Sequence, residues 1–416
     1  MAFLLLLVTL TACAASPQDL SGKMFTFPQE TNTARVILTP SPIQELSALT
    51  ICHRSFTDLK RDHALFSLAT QSNSNALLIF WDDTNKEMEP HIRDKKTEYR
   101  GQDYKPNMWH SVCTTWDSTS GLVQLWFDGQ PSMRKYVSSG AIRGSTMIIL
   151  GQEQDAHGGG FDLKQSFVGM MSDVHMWDYT LSPYSDTGFE MALFLLMVML
   201  TACAAAPQDL SGKMFTFPQE TNSAHVRLTT SRQVLRAVTV CLRSFTDLRR
   251  DHSLFSLATP AFDNDLLIFN GASNNKYAYW VRNKNADFIG QDYKVNTWQS
   301  ICSTWDSVSG LGQLWLDGKP SSRKFISSGS NISGPIIIVL GQEQDTHGGG
   351  FDINQSFVGM MSDVHLWDHI LSPCEIQNYM HHLNFAPGNV LNWRALEFQT
   401  TGRVLIEDKQ EIKTCY

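Results

Sequence analysis

Basic residues are scarce in this 416-residue chain, where 33 Lys and Arg stand against 41 Asp and Glu, a formal net charge of −8. A protein that binds a nucleic-acid backbone needs a positive surface, so this balance argues against nucleic acid as the primary ligand. Charged residues make up 18% and hydrophobic residues 42%, which is unlike a disordered chain. No apolar run reaches the roughly 20 residues that a membrane helix needs. We therefore expect a folded chain without a membrane span.

The amino terminus has the features of a secretory signal peptide. Residues 1–15 join a short apolar run to small residues, and Ala12 and Ala14 form an A-x-A-like cleavage site. A bacterial lipoprotein interpretation of residues 10–13, Leu-Thr-Ala-Cys, stays open. The segment predicts a secreted, extracellular protein.

The chain is an internal duplication. Residues 191–222 repeat residues 1–32 almost letter for letter, and the similarity continues at an offset of 189 or 190 residues. This period is far longer than a solenoid repeat of about 20–50 residues, so each copy should be a complete domain. We call residues 1–190 copy 1 and residues 191–416 copy 2.

The duplication includes the signal-like segment, which recurs in mid-chain at residues 191–206. A signal peptide has no structural purpose between two secreted domains, so we interpret the chain as a fusion of two tandem genes. A buried helix that bridges the domains is the alternative. The predicted domains span residues 19–184 and 209–416.

The copies differ at their carboxyl ends. Only residues 184–190 follow Pro183 in copy 1, whereas copy 2 continues to Tyr416. The extra tail opens with Ser372-Pro373-Cys374-Glu375, a capping-box pattern that predicts a short helix through about His382. Val390–Leu396 is predicted as a strand. Without such a tail, the first domain is expected to leave apolar surface and a sheet edge uncovered.

Short segments rich in β-branched and aromatic residues, separated by turn residues, dominate both copies. An example is Leu122–Phe127, which is followed by the hairpin signal Asp128-Gly129. Helical periodicity is scarce apart from the late helix of copy 2. The pattern predicts an all-β chain in which each copy is an antiparallel β-sandwich.

Six cysteines remain once Cys13 and Cys203 are assigned to the signal-like segments. Secretion makes disulfides the default for cysteines with matched spacing, and free buried thiols are the alternative. Cys374 and Cys415 occur only in copy 2 and are expected to pair, with an interchain bond as the alternative. The members of the other two pairs are each 61 residues apart: Cys52 and Cys113, Cys241 and Cys302.

The segment His110–Trp116, HSVCTTW, resembles the pentraxin signature, in which a cysteine and a Ser/Thr-Trp pair follow a histidine. Copy 2 departs from it with Gln299 at the first position. The similarity extends through Ile149–Asp155, Val390–Leu396 and the paired cysteines. It implies a lectin-type jelly-roll sandwich that assembles as a cyclic pentamer. It also implies calcium-dependent binding of phosphocholine or related phosphorylated or carboxylated surface ligands in innate immunity and the acute phase, with complement components as candidate partners.

An acidic loop is the candidate calcium site. Glu343 and Asp345 place carboxylates at i and i+2, about 6.7 Å apart on an extended chain, and Ca²⁺ takes six to eight oxygen ligands. By composition alone, a solvated acidic turn is the alternative. For copy 2 the resemblance implies a full ligand set for two Ca²⁺ ions, with Gln344 acting through its backbone carbonyl: Asp263, Asn264, Glu343, Gln344, Asp345, Asp352 and Gln355.

In copy 1 the implied calcium ligands are incomplete, because Ser74 stands where the family has Asp. We therefore expect weaker calcium binding there. The implied set is Asn75, Glu153, Gln154, Asp155, Asp162 and Gln165.

The resemblance also implies an aromatic ring beside the ions and a carboxylate that faces a quaternary ammonium group. Both features attract choline, through the ring face and through charge. The matching positions are Phe269 and Asp287 in copy 2, and Phe80 and Glu98 in copy 1.

An enzyme on this sandwich is the competing class, since Glu-x-Asp also opens the acidic box of some jelly-roll glycosidases. The third acidic position of that box is Gly158 or Gly348, so the acid of a retaining mechanism is lacking, and the sequence has no G-x-S-x-G elbow. We therefore expect no catalytic activity. The other alternative is a secreted structural or adhesive sandwich without calcium-dependent binding.

Overall fold

The computed structural model describes residues 19–40, 45–181 and 207–409. The regular secondary structure described in both copies is almost entirely antiparallel strand. The predicted signal segments at 1–15 and 191–206 lie outside the described residues, as do Cys13, Cys203 and Cys415.

Copy 1 contains fifteen strands among its described residues. They are β1 (Phe25–Phe27), β2 (Val36–Leu38), β3 (Glu45–Leu46), β4 (Ala48–Thr57), β5 (His63–Ala69), β6 (Leu77–Asp82), β7 (Glu87–Ile92), β8 (Lys95–Lys96), β9 (Tyr99–Arg100), β10 (Met108–Asp117), β11 (Leu122–Phe127), β12 (Gln130–Tyr136), β13 (Ile142–Arg143), β14 (Met147–Leu150) and β15 (Gly169–Trp177).

The described part of copy 2 has seventeen strands and one α-helix, α1 (Pro373–Met380). The strands are β16 (Lys213–Phe217), β17 (His225–Leu228), β18 (Val234–Leu235), β19 (Ala237–Phe245), β20 (His252–Thr259), β21 (Phe262–Gly271), β22 (Lys276–Val281), β23 (Lys284–Ile289), β24 (Gln299–Asp306), β25 (Leu311–Leu316), β26 (Lys319–Pro320), β27 (Lys324–Phe325), β28 (Ile332–Ser333), β29 (Ile337–Leu340), β30 (Gly359–Trp367), β31 (Phe398–Thr401) and β32 (Leu405–Asp408).

Each copy folds into two large sheets that enclose an apolar core. In copy 1 the strand orders are β1-β15-β4-β10-β11-β12 and β2-β14-β5-β6-β7-β8. In copy 2 they are β26-β25-β24-β19-β30-β16-β32 and β23-β22-β21-β20-β29-β17-β31. One continuous cluster of buried side chains fills each sandwich, and it includes the fully buried Trp116 in copy 1 and Trp305 in copy 2. The predicted all-β jelly-roll sandwich in two copies is confirmed.

The tail of copy 2 completes that domain. Strand β31 pairs with β17 and strand β32 pairs with β16, so the tail covers one edge of each large sheet. In copy 1 the equivalent strands β1 and β2 pair only with β15 and β14 among the described residues. Both are therefore open edges, as the short carboxyl end of copy 1 predicts.

Helix α1 begins where the sequence predicts. Ser372 and Glu375 form a reciprocal capping box, and Pro373 occupies the first turn. The helix ends at Met380, two residues before the predicted end, and its buried face packs against the Cys241–Cys302 disulfide and Trp367. The structure contains both matched disulfides, Cys52–Cys113 and Cys241–Cys302, and Cys374 is exposed.

The strand predicted at Val390–Leu396 is wrong. Leu391 forms an isolated bridge with Leu366, and Trp393–Ala395 is a 3-10 turn. The Asn392 side chain accepts a hydrogen bond from the backbone N–H of Arg394, and this local bond replaces a sheet ladder.

Candidate metal centre

The acidic loop of copy 2 follows β29 and is fixed by the Gln344 side chain. Its Nε2 donates to the carbonyl oxygens of Ser256 at 3.1 Å and Ile337 at 3.3 Å, and its Oε1 accepts from the Gly348 N–H at 3.0 Å. Because the side chain is used to close the loop, any ligand role of Gln344 would fall to its backbone carbonyl.

Glu343 is the most constrained group of this loop. It is 3% exposed, and both carboxylate oxygens are buried without a hydrogen-bond partner. Burial and, second to it, the negative charge of Asp345 together raise the pKa of Glu343 to about 7, with a smaller contribution from Asp263. A carboxylate in these surroundings is short of a positive charge.

Two further oxygens of the predicted set are also buried without a partner, Asn264 Oδ1 and Gln355 Oε1. The backbone N–H of Asn264 donates to Asn283 Oδ1 at 2.9 Å, which fixes this end of β21. Unsatisfied buried oxygens are rare in native proteins, and a hard cation is one species that satisfies several of them together. The residues present therefore fit a calcium ion.

The remaining carboxylates of the copy 2 set are more accessible. Asp345 is exposed, and Asp263 and Asp352 are half-buried. Asp352 Oδ1 accepts hydrogen bonds from the backbone and side-chain nitrogens of Asn354, each at 3.0 Å, and so caps the 3-10 turn Ile353–Gln355.

Copy 1 repeats the arrangement with fewer charges. The pKa of Glu153 is raised to about 7, first by burial and then by Asp155. The side chain of Gln154 closes this loop in the same way, through Ser67 and Gly158. The partnerless buried oxygens are those at the equivalent positions: Asn75 Oδ1, Glu153 Oε2 and Gln165 Oε1. The turn is capped by Asp162, whose Oδ1 accepts from the Lys164 N–H at 2.9 Å.

The predicted organic-ligand residues of copy 2 align across three strands. Phe269 pairs with Ala278, and Ala278 pairs with Asp287, so the three side chains share one face of the sheet. Leu266 and Ile268 belong to the core, so this row lies on the outer face. Asp287 also accepts a hydrogen bond from Lys276 Nζ at 2.7 Å.

The same row is occupied differently in copy 1. Phe80 pairs with Glu89, at the position that corresponds to Ala278. Glu89 is 4% exposed and pairs with Lys96 Nζ at 2.5 Å. The predicted carboxylate, Glu98, lies further away and reaches Lys96 only at 3.9 Å. An ion pair between a buried carboxylate and an exposed lysine therefore occupies the surface beside Phe80.

The sequence analysis missed Glu89 and the acidic group around it. Asp82, Glu87 and Glu89 form a cluster with metal-ligand spacing among the described residues. Positive side chains already neutralise it, because Arg100 Nε lies 2.8 Å from Glu87 and Lys96 pairs with Glu89. The register of β6 against β7 creates this group, and no sequence motif signals it.

A model of the Pentaxin family matches two regions of the chain, residues 23–190 and 213–408. The chain belongs to the pentraxin family. C-reactive protein of Sus scrofa is 41% identical over 219 residues, which cover 52% of this chain and 97% of the relative. Jeltraxin of Lepidobatrachus laevis is 42% identical over 223 residues, or 53% of this chain and 97% of the relative. This pentraxin chain thus holds about two relatives' length of sequence, as the duplication predicts.

A solved structure, the native heptameric SAP-like pentraxin from Limulus polyphemus, matches with a TM-score of 0.45 and 26% sequence identity. The match covers 48% of this chain and 96% of that one. In the described part of this pentraxin, no helix combines the length and apolar character that crossing a membrane requires.

Proposed function

We propose that this pentraxin is a secreted, calcium-dependent recognition protein of innate immunity, and that copy 2 carries the binding site. The observation that supports it is the group of buried, partnerless oxygens on Asn264, Glu343 and Gln355. C-reactive protein and serum amyloid P-component are among the relatives of the chain. The proposal includes removal of residues 1–15 as a signal peptide and domains at 19–184 and 209–416.

In this proposal, Ca²⁺ would be held by oxygen ligands of the acidic loop, the start of β21 and the capped turn. The ion would supply positive charge that Glu343 and its neighbours lack, and it would coordinate the phosphate or carboxylate of a ligand. The ligand set is Asp263, Asn264, Glu343, Gln344, Asp345, Asp352 and Gln355. Phosphorylated or carboxylated surface ligands are the proposed partners, with complement components as further ones.

Phosphocholine is the ligand that the outer row suits best. The half-buried Phe269 ring would contact the trimethylammonium group, and Asp287 would face its charge. The small Ala278 side chain leaves room between them. In copy 1 the Lys96–Glu89 pair occupies that position, so we propose that copy 1 does not bind choline.

Calcium titration of the full chain by calorimetry tests the metal site, with Glu343→Gln and its copy 1 counterpart Glu153→Gln as a matched pair. We expect Glu343→Gln to remove the tightest binding event and Glu153→Gln to leave it in place. Equal effects of the two variants, or no calcium binding by the parent chain, would contradict the proposal.

Retention on phosphocholine resin in calcium, followed by elution with EDTA, tests the organic ligand. Retention that is insensitive to EDTA, or a calcium-binding chain that flows through, would favour a structural or adhesive role instead. We propose no enzymatic activity for the chain.

A further inference from the structure

Copy 1 has an open apolar groove at the place where copy 2 is covered by its own tail. The groove lies beside β1 and β15 and has a volume of about 410 Å³. Leu20, in its wall, is 46% exposed, whereas the copy 2 counterpart Leu210 is 3% exposed. Exposed apolar surfaces of this kind are typical of sites that bind another polypeptide. The apolar lining consists of Leu20, Met24, Phe25, Leu38, Met171 and Val174.

In copy 2, two aromatic side chains of the tail cover the equivalent surface. Trp393 packs edge-on against Phe215 with ring centroids 5.1 Å apart, and Phe398 packs against the same ring at 5.0 Å. Five apolar positions under this cover are fully buried in copy 2, and their counterparts in copy 1 are only partly buried. The copy 2 residues are Phe215, Val226, Leu228, Val364 and Leu366, and the copy 1 residues are Phe25, Val36, Leu38, Val174 and Met176.

The tail also supplies strands and charges to copy 2. Strand β32 pairs with β16, and β31 pairs with β17. Lys213 Nζ lies 2.5 Å from Asp408 Oδ1, and Thr216 Oγ1 donates to Glu407 Oε2 at 2.6 Å. The sequence that receives these contacts, KMFTF at residues 213–217, recurs unchanged at residues 23–27 of copy 1.

Copy 1 therefore presents the same groups on its surface. Lys23 is exposed and forms no ion pair with another described residue, and Thr26 is also exposed. Strands β1 and β2 each keep an unpaired side among the described residues. Extended peptides bind such edges by adding a strand, and pockets for their side chains give specificity.

We propose that copy 1 is a peptide-binding domain whose partner is an extended, tail-like segment of another extracellular protein. The copy 2 tail defines the chemistry of that segment. It has one aromatic residue, a second aromatic residue five positions later, and an acidic pair nine and ten positions after the second. The aromatic pair would enter the groove beside Phe25, and the acidic pair would face Lys23 and Thr26. This role does not depend on the calcium site.

The chain's own tail is already engaged. Copy 2 holds both of its strands, and copy 1 holds two of its side chains. Glu407 Oε1 lies 2.8 Å from Arg134 Nη1, and Arg403 Cζ lies 3.9 Å from the centroid of the Tyr136 ring. Met133, the neighbour of Arg134, is buried in a cluster of copy 2 residues: Met214, Phe245, Leu248, Val358 and Met360.

The segment between the copies lacks the required charge. Residues 191–206 contain no acidic residue that could face Lys23. The charge complementarity of the groove therefore favours a partner from outside the chain.

Fluorescence anisotropy of a labelled peptide with the sequence of residues 384–409 tests the proposal on the full chain. The titration is done in EDTA, so that bound calcium does not contribute. We expect binding, and we expect a peptide with Trp393→Ala and Phe398→Ala to bind at least about tenfold more weakly. Leu20→Asp in the chain should weaken binding in the same direction, because it places a charge in the groove.

A charge exchange locates the peptide on copy 1. Lys23→Glu should bind the peptide at least about fivefold more weakly, because the acidic pair then meets a like charge. A peptide carrying Asp408→Lys should restore binding to this variant. The matched control is Lys213→Glu, the same change in copy 2, where the chain's own tail covers the site. It should leave the affinity for the peptide unchanged.

Each result decides the matter. Binding by the parent chain, weakened by Lys23→Glu and restored by the Asp408→Lys peptide, supports the proposal. It is overturned if the parent chain does not bind, if the peptide does not rescue Lys23→Glu, or if Lys213→Glu weakens binding equally.

Two further results would assign the groove to another occupant and overturn the outside partner. Binding that appears only after deletion of residues 191–206 would assign it to the chain's own segment. Assemblies of the chain that the peptide breaks up, measured by native mass spectrometry, would assign it to the tail of a second copy.

Discussion

Lys135 of copy 1 and Asp247 of copy 2 form an ion pair whose side chains are only 9% and 1% exposed. The pair joins two domains of one chain across a buried surface. Removal of one member of such a pair leaves the other charge buried and costs about 3–5 kcal/mol, more than an exposed pair contributes. The contact between the copies thus depends strongly on one charge at each side.

The first prediction concerns this pair. Asp247→Asn should separate the docked copies at lower urea concentration, because Lys135 loses its counter-charge in a buried site. A urea titration monitored by small-angle scattering measures both the separation of the copies and their unfolding. Asp58→Asn changes the corresponding residue of copy 1 and should leave docking within the chain unchanged. If the copies separated at similar urea concentrations in the two variants, the prediction would be wrong.

The second prediction concerns His53, which has no counterpart in the core of copy 2. His53 is buried, neither ring nitrogen has a hydrogen-bond partner, and burial lowers its pKa to about 4. Leu242 occupies the corresponding position in copy 2. The unfolded chain takes up a proton at this histidine below about pH 6.5, while the folded domain stays neutral until about pH 4. The stability that the neutral His53 side chain allows above about pH 6.5 is therefore lost as the pH falls from about 6.5 to about 4.

Thermal unfolding between pH 7 and pH 4 measures the effect. His53→Leu should unfold at a higher temperature than the parent. The difference in free energy of unfolding between the two should grow by roughly 2–4 kcal/mol as the pH falls. The reciprocal variant Leu242→His should make copy 2 more sensitive to acid than it already is through its own buried histidines, His252 and His365. A difference between His53→Leu and the parent that does not change with pH would show that His53 titrates normally.

A third prediction compares the ligand rows of the two copies. Ala278→Glu with Asn285→Lys reproduces in copy 2 the positions that hold Glu89 and Lys96 in copy 1. We expect this double variant to fold, since copy 1 accommodates the same pair, and to lose retention on phosphocholine resin by at least about tenfold. Calcium binding should be kept, which separates loss of the organic site from loss of the ions.

The control for this experiment is Ala395→Glu, which adds the same charge at an exposed position of the 3-10 turn. It should be retained like the parent chain. Full retention of the double variant would show that the row containing Phe269 is not the site of choline binding.

The fourth prediction tests the short helix of copy 2. Ser372 Oγ accepts from the Glu375 N–H at 3.3 Å, and Glu375 Oε2 accepts from the Ser372 N–H at 2.7 Å. A helix of eight residues is not stable alone, so it depends on this cap and on packing. Ser372→Ala should lower the free energy of unfolding of copy 2 by about 1 kcal/mol. Denaturant titration measures this, with the exposed Ser330→Ala as a control that should have no effect.

Local patterns in the sequence predicted much of this fold. The hairpin after Leu122–Phe127 and the helix at Pro373 depend on turn residues and a cap, which are local signals. The two disulfides join cysteines 61 residues apart, and they were predicted because this spacing recurs in both copies. The predicted strand at Val390–Leu396 failed because alternating apolar residues also suit a 3-10 turn that buries Trp393 against Phe215. Periodicity alone does not separate the two.

The features that the sequence did not reveal depend on partners that are distant along the chain. Glu89 comes to lie beside Phe80 only through the register of β6 against β7. Met133 enters the copy 2 cluster only because the two domains dock. The oxygens of the calcium site were predicted from family resemblance, but their burial without partners follows from the folded loops. The metal site itself stays a prediction.

The tail strands β31 and β32 carry a consequence for the order of events during synthesis. Copy 1 leaves the ribosome first, but Arg403 and Glu407, which hold it to copy 2, are made more than 200 residues after β15 ends. At about 5–20 residues per second, that interval lasts on the order of tens of seconds. Until Met360 has been made, the pocket that receives Met133 is incomplete. Synthesis of the duplicated chain therefore includes a period in which an apolar side chain of copy 1 waits for a partner surface that copy 2 has yet to supply.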